Sequence, residues 1–98
     1  MDLGETIKSI RKRKGIRQNT FAEHCEITQA YLSQIENNLK EPNLSTLKKI
    51  ADKLSVPLPI LFFLSMNEDD VASDKKEVYT MIAPSVQSLI NQFFSSAN

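Results

Sequence analysis

Ninety-eight residues, two of them Gly and four Pro, with 41% hydrophobic content, make a chain of single-domain size that is rich in helix formers and unlike a fibrous or disordered polymer. One cysteine, Cys25, excludes an intramolecular disulfide; no signal-peptide pattern opens the sequence, and the apolar stretch 56–64 is broken by Pro57 and Pro59 and too short for a membrane span, so a cytoplasmic protein is expected. The net charge of zero conceals a division, because residues 1–65 hold ten Lys or Arg against seven acids, whereas residues 66–98 hold two against five.

Leu3, Ile7 and Ile10 have the spacing of an amphipathic helix over residues 2–14, which Gly15 ends. Residues 18–25 place Phe21, Ala22 and Cys25 on one face of a helix of about two turns, too short to be stable without packing. Thr28 is a candidate N-cap for a third helix with Leu32 and Ile35 on its inner face. Asn37 and Asn38 suit its end, because Asn tolerates the left-handed conformation, and Pro42 forbids an early return to helix. Ser45 can cap a fourth helix through Leu47, Ile50, Ala51 and Leu54 that ends near Ser55. Residues 58–64 form a short fifth helix, apolar enough to be expected in the core.

Residues 66–74 are acidic and small, as in a linker. Asp74 and Glu77 can then cap a segment through Val78, Tyr79, Met81 and Ile82, which Pro84 interrupts or restarts. Beyond it Val86, Leu89, Ile90, Phe93 and Phe94 form a helical stripe. The expected architecture is all-α: a five-helix domain over residues 1–65, an acidic linker over 66–74 and a C-terminal helical extension over 75–98.

Two short helices joined by a tight turn, the second apolar inside and polar outside, is the pattern of a helix-turn-helix. A helix that enters a major groove about 12 Å wide must present side chains able to donate and accept at base edges. Gln29 and Gln34 lie on the outer face and can pair bidentately with adenine; Ala30 can touch a thymine methyl, and Ser33 and Asn37 can reach bases or phosphates. Such a polar face is also what a merely solvated helix shows, so its spacing within the motif carries the reading.

That spacing resembles a known family. Ile16-Arg17-Gln18, Phe21-Ala22, Ile27-Thr28-Gln29, the run Leu32 to Asn38, Pro42, and then Leu47, Ile50-Ala51 and Leu54 to Val56 look like the helix-turn-helix of lambdoid phage repressors and Cro. They are similar also to the wider bacterial Xre class, which includes restriction-modification controller proteins. The likeness covers residues 3–64 and implies a Cro/repressor-like fold, binding to double-stranded DNA, and transcriptional regulation, with repression from a pseudo-palindromic operator by a dimer as the expected mode. It implies that Gln18 contacts a phosphate and braces Gln29, and that Gln29, Ala30 and Gln34 face bases. Tyr31, Ser33, Asn37, Asn38 and Lys40 would lie near the DNA backbone. Arg17 and Thr28, at the openings of the two motif helices, join the expected DNA-binding set. Arg11 and Glu36 would form an internal ion pair. The sequence departs from the family at Asn38 and Glu26, where Gly is usual, and at Arg17, where a capping Ser or Thr is usual.

Lys12, Arg13 and Lys14 are either a solvated face or additional phosphate contacts. His24 and Cys25 are adjacent and point in different directions on a helix, with no partner set for a nucleophile or a metal site. No enzyme activity, metal or cofactor is therefore expected. The stripe from Val86 to Phe94, with two adjacent Phe, needs cover that a complete five-helix unit does not demand for itself. A homodimer is the expected answer, with Val86, Leu89, Ile90, Phe93 and Phe94 at the interface together with Leu58, Leu61, Phe62 and Phe63. The alternative is an antitoxin-like interaction protein whose C-terminal segment binds a partner protein.

Overall fold

The computed structural model describes residues 1–95 and is helical, with no strand among the described residues. Five helices, α1 (Leu3–Arg13), α2 (Gln18–His24), α3 (Gln29–Glu36), α4 (Leu44–Lys53) and α5 (Leu58–Ser65), lie within one compact unit, Asp2–Ser65. A second unit begins at Met66 and holds single 3-10 turns at Glu68–Asp70 and Ser73–Lys75, followed by α6 (Lys76–Ser95). The last three positions of the C-terminal segment proposed from sequence, 96–98, lie outside the described residues.

In the first unit α1 packs against α3 and α5, α2 against α3, and α4 against α5. The stripes legible in the sequence are the faces that meet: Ile7, Phe21, Cys25, Leu32, Ile50, Leu54 and Leu61 are fully enclosed, and Ile10, Ala22, Ile35 and Val56 nearly so. Burial of such side chains contributes about 1.5–3 kcal/mol each. It holds together helices of seven to eleven residues that would be marginal in isolation.

Four of the five helices of this unit end alike, each with one residue in the left-handed region: Gly15 (φ 71), Glu26 (φ 59), Asn38 (φ 58) and Ser55 (φ 58). In each case the next residue, Ile16, Ile27, Leu39 or Val56, donates its N–H back to the carbonyl of Arg11, Ala22, Gln34 or Ala51 at 2.8–3.1 Å. This is the Schellman closure, which satisfies carbonyls a helix end would otherwise leave bare and turns the chain sharply. The connections between these helices are short because the same turn is used repeatedly.

Three sequence expectations need correction. The cap of α4 is Asn43, whose Oδ1 accepts from Thr46 N–H at 2.8 Å, so the helix starts at Leu44, before Ser45. In α5 only Leu61 and Ser65 are buried, while Leu58, Ile60, Phe62, Phe63 and Leu64 are half-buried, because a helix resting on two neighbours turns part of its circumference outward. Leu61, expected at a dimer interface, is thus a core residue with no exposed surface. Finally, α6 runs through Pro84 without a break, and Asp74 lies in the 3-10 turn that leads into it. A proline inside a helix removes one amide donor at a cost of about 3 kcal/mol, which twenty residues of otherwise helix-compatible sequence absorb. Within α6, Ala83 and Ile90 are buried and Val78, Met81, Ile82, Leu89 and Phe93 are exposed.

Candidate nucleic-acid interface

The motif is built by the turn between α2 and α3. Cys25 closes α2, Glu26 takes the positive φ, and Thr28 caps α3 by accepting the N–H of Tyr31 at 3.0 Å. Glu26 carries the strained turn position and reaches Lys49 on α4, with Nζ and Oε2 3.3 Å apart. Arg17 precedes α2 without a capping bond, so its exposed guanidinium remains at the mouth of the motif.

Beneath the motif lies a buried ion pair. Arg11 Nε donates to Glu36 Oε2 at 2.7 Å and Arg11 NH2 to Glu36 Oε1 at 3.0 Å, while Arg11 NH1 donates to the Ile16 carbonyl at 2.7 Å. The two residues are 5% and 3% exposed, and every polar atom of the pair that is buried has a partner, as an ion pair removed from water requires. One residue thus fastens the exit of α1 to the last turn of α3. Gln18 Nε2 donates to Glu36 Oε1 at 3.0 Å, and Gln29 Nε2 donates to Gln18 Oε1 at 3.3 Å, so the network runs from the core to the surface.

The outer face of α3 presents Gln29, Ala30 and Asn37 exposed, with Tyr31, Ser33 and Gln34 half-buried alongside. Asn37 Nδ2 lies 3.4 Å from Ser33 Oγ, a local contact between two groups that both still face outward. Lys40 is exposed beyond the helix end, as are Lys12, Arg13 and Lys14 at the end of α1. The arrangement is a hydrogen-bonding helix face between cationic flanks, which is the chemistry that base edges and phosphates require.

Asn38 behaves differently from the rest of the expected set. Its Oδ1 accepts from Gly4 N–H at 3.1 Å and its Nδ2 donates to Asp2 Oδ1 at 2.8 Å, so its side chain ties α3 to the start of α1. Asp2 also caps α1 by accepting from Glu5 N–H at 3.0 Å. The Asn38 amide, and next the Glu5 N–H, hold the Asp2 carboxyl below its ordinary value of 3.8. Gly4 is buried where α1 meets α3: a Cβ there would collide with the Ile35 and Glu36 carbonyl oxygens and with Asn38 Oδ1. Neither Asp2 nor Gly4 is marked as structural by local sequence pattern, beyond the presence of a Gly in the first turn of a helix, where propensity disfavours it. Burial pushes the Cys25 thiol up to about 11, leaving it protonated at neutral pH, and His24 beside it is exposed, so the two form no joint site.

A family model described as helix-turn-helix matches residues 7–61, from Ile7 within α1 to Leu61 within α5. The chain belongs to the helix-turn-helix family. This helix-turn-helix chain is 29% identical over 90 residues to the immunity repressor protein of Bacillus phage phi105, covering 80% of itself and 62% of that relative. It therefore spans about three fifths of the phage repressor's length. Among solved structures it resembles the P22 c2 repressor in complex with a synthetic operator, with TM-score 0.59 and 28% identity, covering 62% of this chain and 92% of the other. It also resembles a chain of the SinR–SinI protein complex, with TM-score 0.61 and 26% identity over 98% of this chain and 99% of that one.

Proposed function

We propose that this helix-turn-helix protein is a sequence-specific double-stranded DNA-binding regulator of transcription, acting in the cytoplasm as a repressor. Its direct readers are Gln29, Ala30 and Gln34. The observation that carries the reading is the outward, hydrogen-bonding face of α3, seated on the buried Arg11–Glu36 pair and flanked by Arg17 and Lys40. The P22 c2 repressor, solved with an operator, has the same fold. Thr28 and Tyr31 open the helix and Ser33 and Asn37 line it toward the DNA backbone; Asn38 contributes by positioning. A single module buries limited DNA surface, whereas a dimer on half-sites about 34 Å apart multiplies affinity and reads a pseudo-palindrome.

Selection of bound duplexes from a random library tests this. Enrichment of a two-fold symmetric site is expected, and absence of enrichment by the folded protein overturns the reading. Gln29→Ala and Gln34→Ala should each relax preference at particular base pairs and cost about 1–3 kcal/mol. Arg17→Ala and Lys40→Ala should weaken all sequences alike and flatten the salt dependence.

The second unit supports an association role. α6 exposes Val78, Met81, Ile82 and Leu89, apolar groups that a self-sufficient helix would not leave to water. We assign this helix to homodimer formation, with Val86, Phe93 and Phe94 around the exposed groups and Leu58, Phe62 and Phe63 of α5 as a secondary surface; Ile90, expected at the interface, is buried within the chain itself and does not belong to that surface. An antitoxin-like or other protein partner is the second reading, which the likeness to a SinR–SinI chain favours. Mass in solution separates the two: a dimer lost on truncation at Asp70 supports the first, and a monomer isolated with a stoichiometric second chain supports the other.

A further inference from the structure

We propose that Glu36, clamped by Arg11, is the positioning residue that decides which base Gln29 reads, because it fixes the direction of a relay of two glutamine amides. The inference rests on the DNA-reading role of α3 proposed above and extends it to residues that touch no DNA.

A glutamine amide has a donor end and an acceptor end, and an isolated one can turn either toward its neighbour. Here the choice is made from below. Glu36 Oε1 accepts from Arg11 NH2 and from Gln18 Nε2, each at 3.0 Å, and Oε2 accepts from Arg11 Nε at 2.7 Å. A carboxylate paired with a guanidinium accepts and never donates. Gln18 must therefore turn its NH2 inward and its carbonyl outward. That carbonyl is met by Gln29 Nε2 at 3.3 Å, which spends one of the two Gln29 donors. Gln29 is left to present Oε1 and one N–H.

An acceptor beside a donor matches adenine, which offers the N6 amino donor and the N7 acceptor in the major groove. Against guanine the same edge sets Oε1 opposite O6, two acceptors with no proton between them. A relay running the other way, with the Gln18 carbonyl inward, would leave Gln29 with two N–H groups, the edge that guanine N7 and O6 accept. The direction of the relay therefore selects between two purines, and the only group in it that cannot reverse is the buried carboxylate. Gln18 retains one N–H for a phosphate in either case, so discrimination at this base pair separates from affinity in general.

The paired variant Arg11→Met/Glu36→Met tests this, since a buried ion pair is often replaced by apolar side chains of similar volume without loss of the fold. Side-chain amide exchange, followed by NMR in the free protein, should show one protected proton on Gln18 and one on Gln29 in the wild type, and none in the variant. Base preference is then read at the position where Gln29→Ala changes selection. Wild type should favour adenine over guanine there by roughly tenfold or more, and the variant should fall to within about threefold while its preferences elsewhere persist. Should the double variant misfold, Gln18→Leu leaves the ion pair intact, cuts the relay one step higher and should collapse the same preference. A folded variant that keeps its full discrimination, or wild-type glutamine amides with no protected proton, overturns the inference alone. A wild-type chain that selects no duplex overturns the DNA reading and this inference with it.

Discussion

Asn38 Nδ2 donates to Asp2 Oδ1 at 2.8 Å, joining the turn after α3 to the cap of α1 across thirty-six positions of sequence. Together with the bond from Gly4 N–H to Asn38 Oδ1, it makes the end of α3 and the start of α1 one mechanical piece. Glycine is the residue whose backbone best suits φ 58, so on backbone grounds alone Asn38→Gly should be neutral or stabilising. We expect the opposite, a loss of about 1–2 kcal/mol, since two side-chain hydrogen bonds disappear. Urea denaturation with an unchanged m-value measures it, and a variant as stable as wild type would show that those bonds contribute nothing.

The same link has a pH signature. The folded Asp2 carboxyl titrates below its ordinary value of 3.8, because the Asn38 amide and the Glu5 N–H favour its ionised form. A depressed folded value means that the unfolded chain binds the proton more readily. The stabilisation is therefore fully present above 3.8 and is lost as pH falls through the folded value. Stability of wild type relative to Asp2→Ala, compared at about pH 7 and about pH 2.5, should shrink toward zero at the acidic end. An advantage that stays constant would assign it to something other than the carboxylate.

Glu26 is the converse of Asn38. It too has a left-handed backbone, φ 59, but its side chain gains only an exposed ion pair with Lys49, worth about 0–1 kcal/mol. Relief of the left-handed strain returns about 1–2 kcal/mol, partly offset by the greater freedom of Gly in the unfolded chain. Glu26→Gly should therefore raise stability by about 0.5–1 kcal/mol, read as a rise of a few degrees in thermal midpoint. A fall would mean that Lys49 and Glu26 matter more than their exposure suggests.

These contrasts explain what could be read in advance. The inner faces of α1 to α4 were legible because apolar residues recur at helical spacing, and the all-helical class followed from them. Gly15 and Asn38 announced their turns by residue type, whereas Ser55 takes the same conformation with nothing in its side chain to foretell it. Ser45 looked like a better cap than Asn43 only because local sequence does not say where the loop after Pro42 turns back into helix. The outer face of α3 and the Arg11–Glu36 pair came from the motif's spacing and its resemblance. The resemblance also implied that Gln18 braces Gln29, and the two are hydrogen-bonded; the bond from Gln18 to Glu36 that orients the pair was not legible, because it depends on how α1 brings Arg11 to Glu36 at the end of α3, a long-range approach invisible in any window of sequence.

That approach is set at Gly4, which makes Gly4→Ala a demanding test. Alanine is the better helix former by roughly 1 kcal/mol, and in an isolated α1 the substitution should help. In the folded chain the added methyl would run into the carbonyl oxygens of Ile35 and Glu36 as well as Asn38 Oδ1. The carbonyls belong to the last turn of α3, which is held by its own Schellman closure through Asn38 and Leu39 and cannot yield as a flexible side chain would. The helices must move apart, weakening the Asn38 bonds and shifting Glu36 from Arg11. Gly4→Ala should then cost about 2–3 kcal/mol, and any DNA affinity that remains should fall for all sequences alike, because the whole of α3 is displaced rather than one reader removed. Denaturation together with duplex selection measures both effects. A variant of undiminished stability would mean that α1 and α3 are further apart than this packing requires, and the relay above Glu36 would lose its footing.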